Sequence, residues 1–131
     1  MDGLHILAEL YECRCEAALL RRAGALRRVC VDACAGAGLT VVAQVFHDFG
    51  TAQEAAGATG AVVLAESHLA VHTWPERRAV TLDLYVCNFS QDNRSAAETA
   101  WRALLDAFRP QQLTRRDVER GSRSPTPRPD G

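Results

Sequence analysis

The nine residues AVTLDLYVC, residues 79–87, decide the fold class of this 131-residue chain. Aliphatic residues occupy every second position, and polar, aromatic or sulfur-containing residues lie between them. Because side chains of a β-strand point alternately to the two faces of a sheet, the pattern predicts a strand with one buried face. It also puts Cys87 on the face opposite the aliphatic row. That row consists of Val80, Leu82, Leu84 and Val86.

The segments on either side of this strand predict more strands and two helices. Strand patterns occupy residues 4–11, 39–49 and 61–71, the last of them interrupted by polar residues, and residues 50–60 are typical of a loop. Apolar residues at helical spacing predict a helix over residues 16–35. A second helix is predicted to open at Ser95 with the capping box Ser95-x-x-Glu98.

The order strand, helix, strand, strand, strand, helix predicts an α+β two-layer sandwich, with both helices on one face of a mainly antiparallel sheet. A single domain of this size has no further element to cover the other face. We therefore expect a homodimer. Residues 1–121 form the predicted domain, and residues 122–131 have the proline-rich, polar composition that is typical of a disordered tail.

Charge and hydropathy argue against two classes of partner. The 15 basic and 16 acidic residues leave a formal charge of −1, and they form no basic block that could follow a phosphate backbone. No apolar run approaches the roughly 18 residues of a membrane span, and no basic region precedes the first apolar segment. These features predict a cytoplasmic protein that binds neither nucleic acid nor membrane.

The five cysteines do not have the spacing of a disulfide scaffold, and we expect free thiols. Cys30 with Cys34, or Cys13 with Cys15, could contribute to a metal site, but the chain contains no C-x-x-C pair. The chain also contains no lysine. This absence excludes chemistry in which a lysine amine forms a Schiff base, as in pyridoxal phosphate enzymes.

The apolar run at residues 61–71 is interrupted by Glu66, Ser67 and His68, where a buried strand should have no polar residue. Local rules of this kind are usually broken where function requires it. His68 and His72 are four residues apart, so in an unbroken strand they would share a face and could ligate a metal. No carboxylate at matching spacing completes that ligand set, and we predict no metal.

The run ESHLAVHTWPE, residues 66–76, is followed by VTLDLYVC, whose cysteine lies twenty residues after Ser67. Together they resemble the prokaryotic S-adenosylmethionine decarboxylases, which are pyruvoyl-dependent enzymes of polyamine synthesis. GLHILAELYEC near the start, FHDFG, GATG before the interrupted strand, and the pair Arg120-Gly121 are also similar to that family's pattern. The resemblance therefore extends over residues 3–121.

The resemblance implies roles for the interrupting residues. The chain would cleave its own backbone between Glu66 and Ser67, and Ser67 would become a covalent pyruvoyl cofactor that forms a Schiff base with the substrate amine. His72 would be the base for this processing, and Thr59 would supply a hydroxyl that assists it. Cys87 would donate a proton to the substrate after carbon dioxide leaves. The sharp turn that such cleavage requires would explain why polar residues break the strand.

The resemblance also implies the substrate. S-adenosylmethionine would be decarboxylated to the aminopropyl donor for spermidine, with Phe49 and Glu9 as candidate substrate-binding residues. Residues 49–60 are longer than the usual loop of the family. Some relatives decarboxylate ornithine or arginine instead, and Glu9, Glu12 or Asp83 could face the distal cation of such a substrate.

Two alternatives belong to other functional classes. The chain could be a relative that never processes and serves as a subunit, or a small metal-binding protein that uses His68, His72 and Cys87. The joint presence of serine, histidine and cysteine argues against the first alternative. The lack of a complete ligand set argues against the second. Cleaved protomers of the favoured enzyme would associate as a homodimer of two amino-terminal and two carboxy-terminal pieces.

Overall fold

The computed structural model describes residues 2–89 and 91–121. Within these ranges the chain forms six β-strands, three α-helices and a short 3₁₀ helix at Pro75–Arg77. In chain order the strands and α-helices are β1 (Gly3–Cys13), α1 (Ala17–Arg21), α2 (Ala23–Gly36), β2 (Val41–Gly50), β3 (Ala55–Leu64), β4 (Ser67–Trp74), β5 (Ala79–Cys87), α3 (Arg94–Phe108) and β6 (Pro110–Arg120).

All six strands belong to one sheet in the order β2-β3-β4-β5-β1-β6, and every neighbouring pair is antiparallel. The first strand of the chain therefore lies between its last two strands, β5 and β6. The three helices pack on one face of this sheet, which gives two layers. The α+β sandwich predicted from the sequence is confirmed, with three helices in the described ranges instead of two.

The core lies between the helices and the covered face of the sheet. Val80, Leu84 and Val86 are fully buried there with Phe108 of α3, and this confirms the alternation predicted for residues 79–87. No helix of the described part of the chain covers the other face, which we call the open face. The open face carries the side chains of His5, Glu9, Thr59, His68, His72, Trp74, Asp83, Tyr85, Cys87, Arg116 and Val118.

No strand is expected from the sequence after the second helix, but Pro110–Arg120 forms β6. This strand pairs with β1 along its whole length and is an edge strand. Because most of its side chains are exposed, it does not have the apolar alternation that reveals a half-buried strand. The predicted disordered tail, residues 122–131, lies outside the described residues.

The interrupted strand at residues 61–71 is two strands. β3 and β4 form a hairpin that is joined only by Ala65 and Glu66. The prediction of a loop over residues 50–60 is wrong for its second half, because β3 begins at Ala55. Alanine and glycine have low intrinsic preference for strands, and pairing with β2 on one side and β4 on the other overrides that preference.

The helix predicted over residues 16–35 is divided into α1 and α2. Arg22, between them, has an extended backbone with φ −121° and ψ 129°. The carboxylate of Asp48 in β2 accepts a hydrogen bond of 2.6 Å from the Ala23 amide, which satisfies one of the donors at the start of α2. No helix in the described ranges has both the length and the apolar character that a membrane span needs.

The predicted capping box of the last helix is wrong. α3 begins at Arg94 and has no side-chain hydrogen bond at its cap. Glu98, the expected capping partner of Ser95, instead binds the guanidinium group of Arg115 in β6. An ion pair to a neighbouring strand has replaced the local hydrogen bond that the sequence pattern favours.

Candidate functional site

The hairpin turn between β3 and β4 lies at the centre of the candidate site. Leu64 pairs with Ser67, so that Ala65 and Glu66 alone make the turn. Glu66 has a φ of +69°, in the left-handed region that glycine, asparagine and aspartate adopt most readily. For a glutamate this conformation costs about 1 kcal/mol. The backbone is therefore strained at the residue before Ser67.

Ser67 and Cys87 lie together at one end of the sheet. Ser67 is the first residue of β4 and pairs with Val86 of β5. Its hydroxyl is buried and accepts a hydrogen bond of 3.3 Å from the backbone amide of Cys87. The Cys87 carbonyl accepts a bond of 2.8 Å from the buried side-chain amide of Asn93. The structure thus brings the Ser67 side chain to the backbone of Cys87, while the Cys87 thiol lies on the open face.

His72 and Thr59 form a second group with Phe49. Thr59 of β3 pairs with His72 of β4, and the Thr59 hydroxyl donates a hydrogen bond of 3.2 Å to the Val71 carbonyl. The imidazole of His72 lies 4.3 Å from the ring of Trp74 and 5.4 Å from the ring of Phe49, measured between ring centroids. Aromatic surface on two sides therefore holds the His72 ring on the open face.

The two groups do not meet within one chain. Ser67 and His72 are five residues apart in a continuous strand, which separates them by roughly 16 Å. An odd separation also puts their side chains on opposite faces of the sheet, and Ser67 is on the covered side. The structure brings Ser67 to Cys87 and His72 to Thr59 and Phe49, but it does not bring His72 to Ser67.

The open face carries further polar groups near Cys87. His5 lies between His68 and Tyr85, with ring centroids 6.3 Å and 5.9 Å away. Burial lowers the pKa of His5, and the Asp83 carboxylate, 3.7 Å from its Nε2, opposes that effect. Tyr85 has no role predicted from the sequence, although its place two residues before Cys87 puts both side chains on one face.

The candidate substrate residue Glu9 lies on the open face, where its carboxylate binds Arg116 at 3.1 Å. A groove of about 400 Å³ passes beside it and is lined by Glu9, Trp74, Glu76 and Thr81, among others. Carboxylates next to an aromatic ring suit a cationic ligand. Phe49 does not line this groove but lies on the other side of His72.

The described residues contain no cluster of three or more histidine, cysteine, aspartate or glutamate side chains that could hold a metal ion. All five cysteines are buried free thiols. Burial raises the pKa of Cys13 and of Cys34 to about 11, and it raises the pKa of Cys30 still further. Because metal ions bind the thiolate, this burial disfavours a site at either cysteine pair.

Comparisons with known proteins point to one family. A family model described as S-adenosylmethionine decarboxylase matches residues 4–121. The chain is 36% identical over 120 residues to the S-adenosylmethionine decarboxylase proenzyme of Picrophilus torridus, covering 92% of this chain and 85% of the relative. It is 34% identical over 119 residues to the proenzyme of the same name from Archaeoglobus fulgidus, covering 91% and 97%.

A solved structure agrees with the sequence relatives. The crystal structure of the adenosylmethionine decarboxylase from Aquifex aeolicus matches this fold with a TM-score of 0.80 and 33% sequence identity, and the match covers 95% of each chain. The similarity therefore extends over nearly the whole chain.

Proposed function

Because the chain belongs to the S-adenosylmethionine decarboxylase family, we propose that it is a proenzyme that cleaves itself between Glu66 and Ser67. The mature protein then decarboxylates S-adenosylmethionine and supplies the aminopropyl donor for polyamine synthesis. The observation that carries the proposal is the two-residue turn, in which a strained Glu66 precedes a buried serine that lies beside Cys87.

Self-cleavage needs only groups of the chain and one water molecule. The Ser67 hydroxyl attacks the Glu66 carbonyl, and the peptide bond is exchanged for an ester. A base removes the α-proton of residue 67, and the ester leaves as the new carboxylate of Glu66. Water then hydrolyses the unsaturated amine at residue 67 to a ketone and releases ammonia. The strain at Glu66 favours the first step, because it raises the free energy of the intact peptide.

The surroundings of Ser67 fit a pyruvoyl group, which is small and uncharged. The site is buried, Ser67 pairs with the aliphatic residue Val86, and the Cys87 amide points a donor at the Ser67 hydroxyl. A pyruvoyl group at this position supplies a ketone that withdraws electrons from the substrate as carbon dioxide leaves. Cys87 gives the proton from its thiol to the carbon that has lost carbon dioxide.

We assign the base to His72 and the assisting hydroxyl to Thr59, both from a partner subunit. On one chain these residues are roughly 16 Å from Ser67, too far for proton transfer. A second copy packed on the open face, with its β4 running in the opposite direction, would carry the partner subunit's His72 to the Ser67 end of the sheet. The imidazole would approach the α-carbon of residue 67 from the open face, opposite the Ser67 side chain. A twofold dimer of this kind completes two sites at once.

The exposed side chains of the open face support this dimer. Five large hydrophobic residues are between 41% and 73% exposed there. An apolar surface of this kind on a sheet face favours burial against another layer. The five residues are Tyr11, Val45, Val63, Trp74 and Val118.

Substrate binding is assigned to the groups near His72. The ring of Phe49 offers a face on which an adenine base can stack. In the groove beside Trp74, Glu9 and Glu76 provide negative charge for the sulfonium of S-adenosylmethionine. The ion pair between Glu9 and Arg116 partly neutralises the Glu9 carboxylate.

The mass of the purified protein tests the proposal. We expect two pieces, of 66 residues ending at Glu66 and of 65 residues beginning at residue 67, the second of which is labelled by borohydride in the presence of S-adenosylmethionine. Ser67→Ala should remain a single folded chain. Ser95→Ala, which removes an exposed hydroxyl from α3, should cleave like the wild type. A wild-type chain that stays intact for days contradicts the proposal.

Carbon dioxide release identifies the substrate. S-adenosylmethionine, ornithine and arginine are incubated in separate samples with cleaved protein. We expect release with S-adenosylmethionine alone. Release with ornithine or arginine, and none with S-adenosylmethionine, would replace the proposed substrate and leave the cleavage reaction standing.

A further inference from the structure

Tyr85 is confined on the open face next to Cys87. Its ring lies 5.9 Å from the ring of His5 and 5.5 Å from the ring of His68. The guanidinium group of Arg120 lies over the same ring, 4.8 Å from its centroid. Groups from β1, β4 and β6 therefore limit the orientations that this side chain can adopt.

Gly3 provides the space that the Tyr85 ring occupies. This residue pairs with Cys87 across β1 and β5. A Cβ atom at Gly3 would lie 2.9 Å from Cε1 of Tyr85, 3.0 Å from its hydroxyl oxygen and 2.7 Å from the Val86 carbonyl oxygen. Any larger residue at position 3 would push the phenol away, so the absence of a side chain there fixes where the hydroxyl lies.

The Tyr85 hydroxyl is placed beside Cys87 by the sheet, because the two side chains project from the same face and the hydroxyl lies over Gly3, which pairs with Cys87. Burial raises the pKa of Tyr85 most, hydrogen bonding to Cys87 and the charge of a Cys87 thiolate raise it further, and the nearby Arg120 opposes the rise. The phenol therefore keeps its proton at neutral pH and can donate it in a hydrogen bond to sulfur.

We propose that Tyr85 is a positioning residue for proton transfer, whose hydroxyl orients the Cys87 thiol and stabilises the thiolate left when the proton departs. In this step the electron pair released with carbon dioxide takes the proton from sulfur, and sulfur keeps the pair of the former S–H bond. Water later returns a proton to the thiolate. The inference rests on the function proposed above, in which Cys87 is the proton donor.

The reactivity of the Cys87 thiol tests the inference without the mature cofactor. Every chain in the experiment carries Ser67→Ala, so that none can process. Iodoacetamide alkylation at Cys87 is followed by peptide mass spectrometry at pH 7, where its rate reports the thiolate fraction. We expect Tyr85→Phe to slow alkylation by roughly five- to tenfold, because a hydrogen-bond donor to the thiolate is lost.

The direction in which Tyr85→Phe changes the alkylation rate shows whether the phenol orients the Cys87 thiol or only shields it. If the phenol merely shields Cys87, its hydroxyl can be removed with no change in rate or with faster alkylation, and either result overturns the inference. Tyr11→Phe is the matched control, since it removes the only other phenolic hydroxyl of the chain. It should leave the alkylation rate of Cys87 unchanged, and a similar slowing there would also overturn the inference.

A second readout uses the cleaved enzyme. A proton delivered to the wrong carbon converts the residue-67 group to alanine and inactivates the site. Tyr85→Phe should raise the amount of amino-terminal alanine per carbon dioxide released severalfold, and an unchanged ratio contradicts the inference. A wild-type chain that never cleaves defeats the proposed function instead, and the alkylation result is independent of that outcome.

Discussion

The Cys87 thiol is proposed to act in turnover and not in self-cleavage. The backbone amide of Cys87 contacts the Ser67 hydroxyl, while its side chain points to the open face with Tyr85. Cys87→Ala should therefore still cleave into two pieces, but lose turnover by roughly 10²- to 10⁴-fold, the range for removing a positioned proton donor. Carbon dioxide release from S-adenosylmethionine measures the loss. Cys15→Ala is the control, and near-normal turnover of Cys87→Ala would refute the role.

His72 is assigned to self-cleavage. Its removal should therefore block formation of the two pieces, whereas removal of the Cys87 thiol should leave cleavage intact. His72→Ala should fold and stall as the ester, because no base takes the α-proton of residue 67. Hydroxylamine cleaves esters directly, so its addition should release the 66-residue piece. Intact mass before and after treatment gives the result. Failure of hydroxylamine to cut a well-folded variant would argue against this assignment.

At the level of elements, Arg115 attaches the edge strand β6 to the helical layer. Its guanidinium group binds Glu98 of α3 and Asp117 of β6, and it lies 5.0 Å over the ring of Trp101. Arg115→Met keeps an aliphatic stem over the tryptophan but loses both ion pairs. Because the carboxylates are partly exposed and screened, we expect the free energy of unfolding to fall by only about 1 kcal/mol at pH 7. Arg28→Met, which removes an exposed arginine from α2, should change it less.

The ion pairs of Arg115 also make the stability difference between wild type and Arg115→Met depend on pH. Hydrogen bonds from Arg115 lower the pKa of Glu98 and of Asp117 from their ordinary values of 4.5 and 3.8. Groups with a lowered pKa stabilise the fold above their ordinary values, and the stabilisation is lost as the pH falls through the lowered ones. Urea unfolding should thus separate wild type from Arg115→Met above about pH 5, and the difference should shrink as the pH falls below the ordinary pKa values. A constant difference over that range would exclude the ion pairs as its cause.

Strands and helices with one buried face could be predicted from the sequence. Elements that form only because they pair with a neighbouring strand could not. The strand at residues 79–87 and the helix with Trp101 and Phe108 have apolar periodicity because one side of each lies in the core. β6 has two largely exposed faces, so its existence depends on pairing with β1. The turn at Ala65 and Glu66 has none of the glycine or asparagine that usually marks a two-residue hairpin.

The residues of the candidate site could be predicted from the sequence, but their arrangement could not. Ser67, His72 and Cys87 could be found because they belong to a recognisable run of residues. Their separation into two groups could not, since it depends on the register of β3, β4 and β5. Tyr85 is contiguous with the motif, but the space that Gly3 leaves for its ring becomes visible only when β1 is paired with β5.

For the whole molecule, the two groups of site residues predict complementation between inactive chains. When Ser67→Ala and His72→Ala chains are co-expressed, a mixed dimer contains one site with both Ser67 and the partner subunit's His72. About half of the His72→Ala chains should then cleave if the chains pair at random. Intact mass distinguishes the two chains, and His72→Ala expressed alone is the control. No cleavage in the mixture would mean that the site does not draw on two chains.

The strand order determines how the cleaved protein can refold. The amino-terminal piece keeps β1, β2 and β3, the other keeps β4, β5 and β6, and β1 remains held between β5 and β6. Because the strands of the two pieces alternate in the sheet, the mature enzyme can hold together without a covalent link. The sequence that specifies the sheet is then divided between two separate chains. The uncut precursor forms this sheet by closing loops within itself, whereas separated pieces must first collide. Once denatured, the mature protein should regain its sheet at a rate that depends on concentration, unlike the precursor, so that each molecule has effectively one chance to fold unaided.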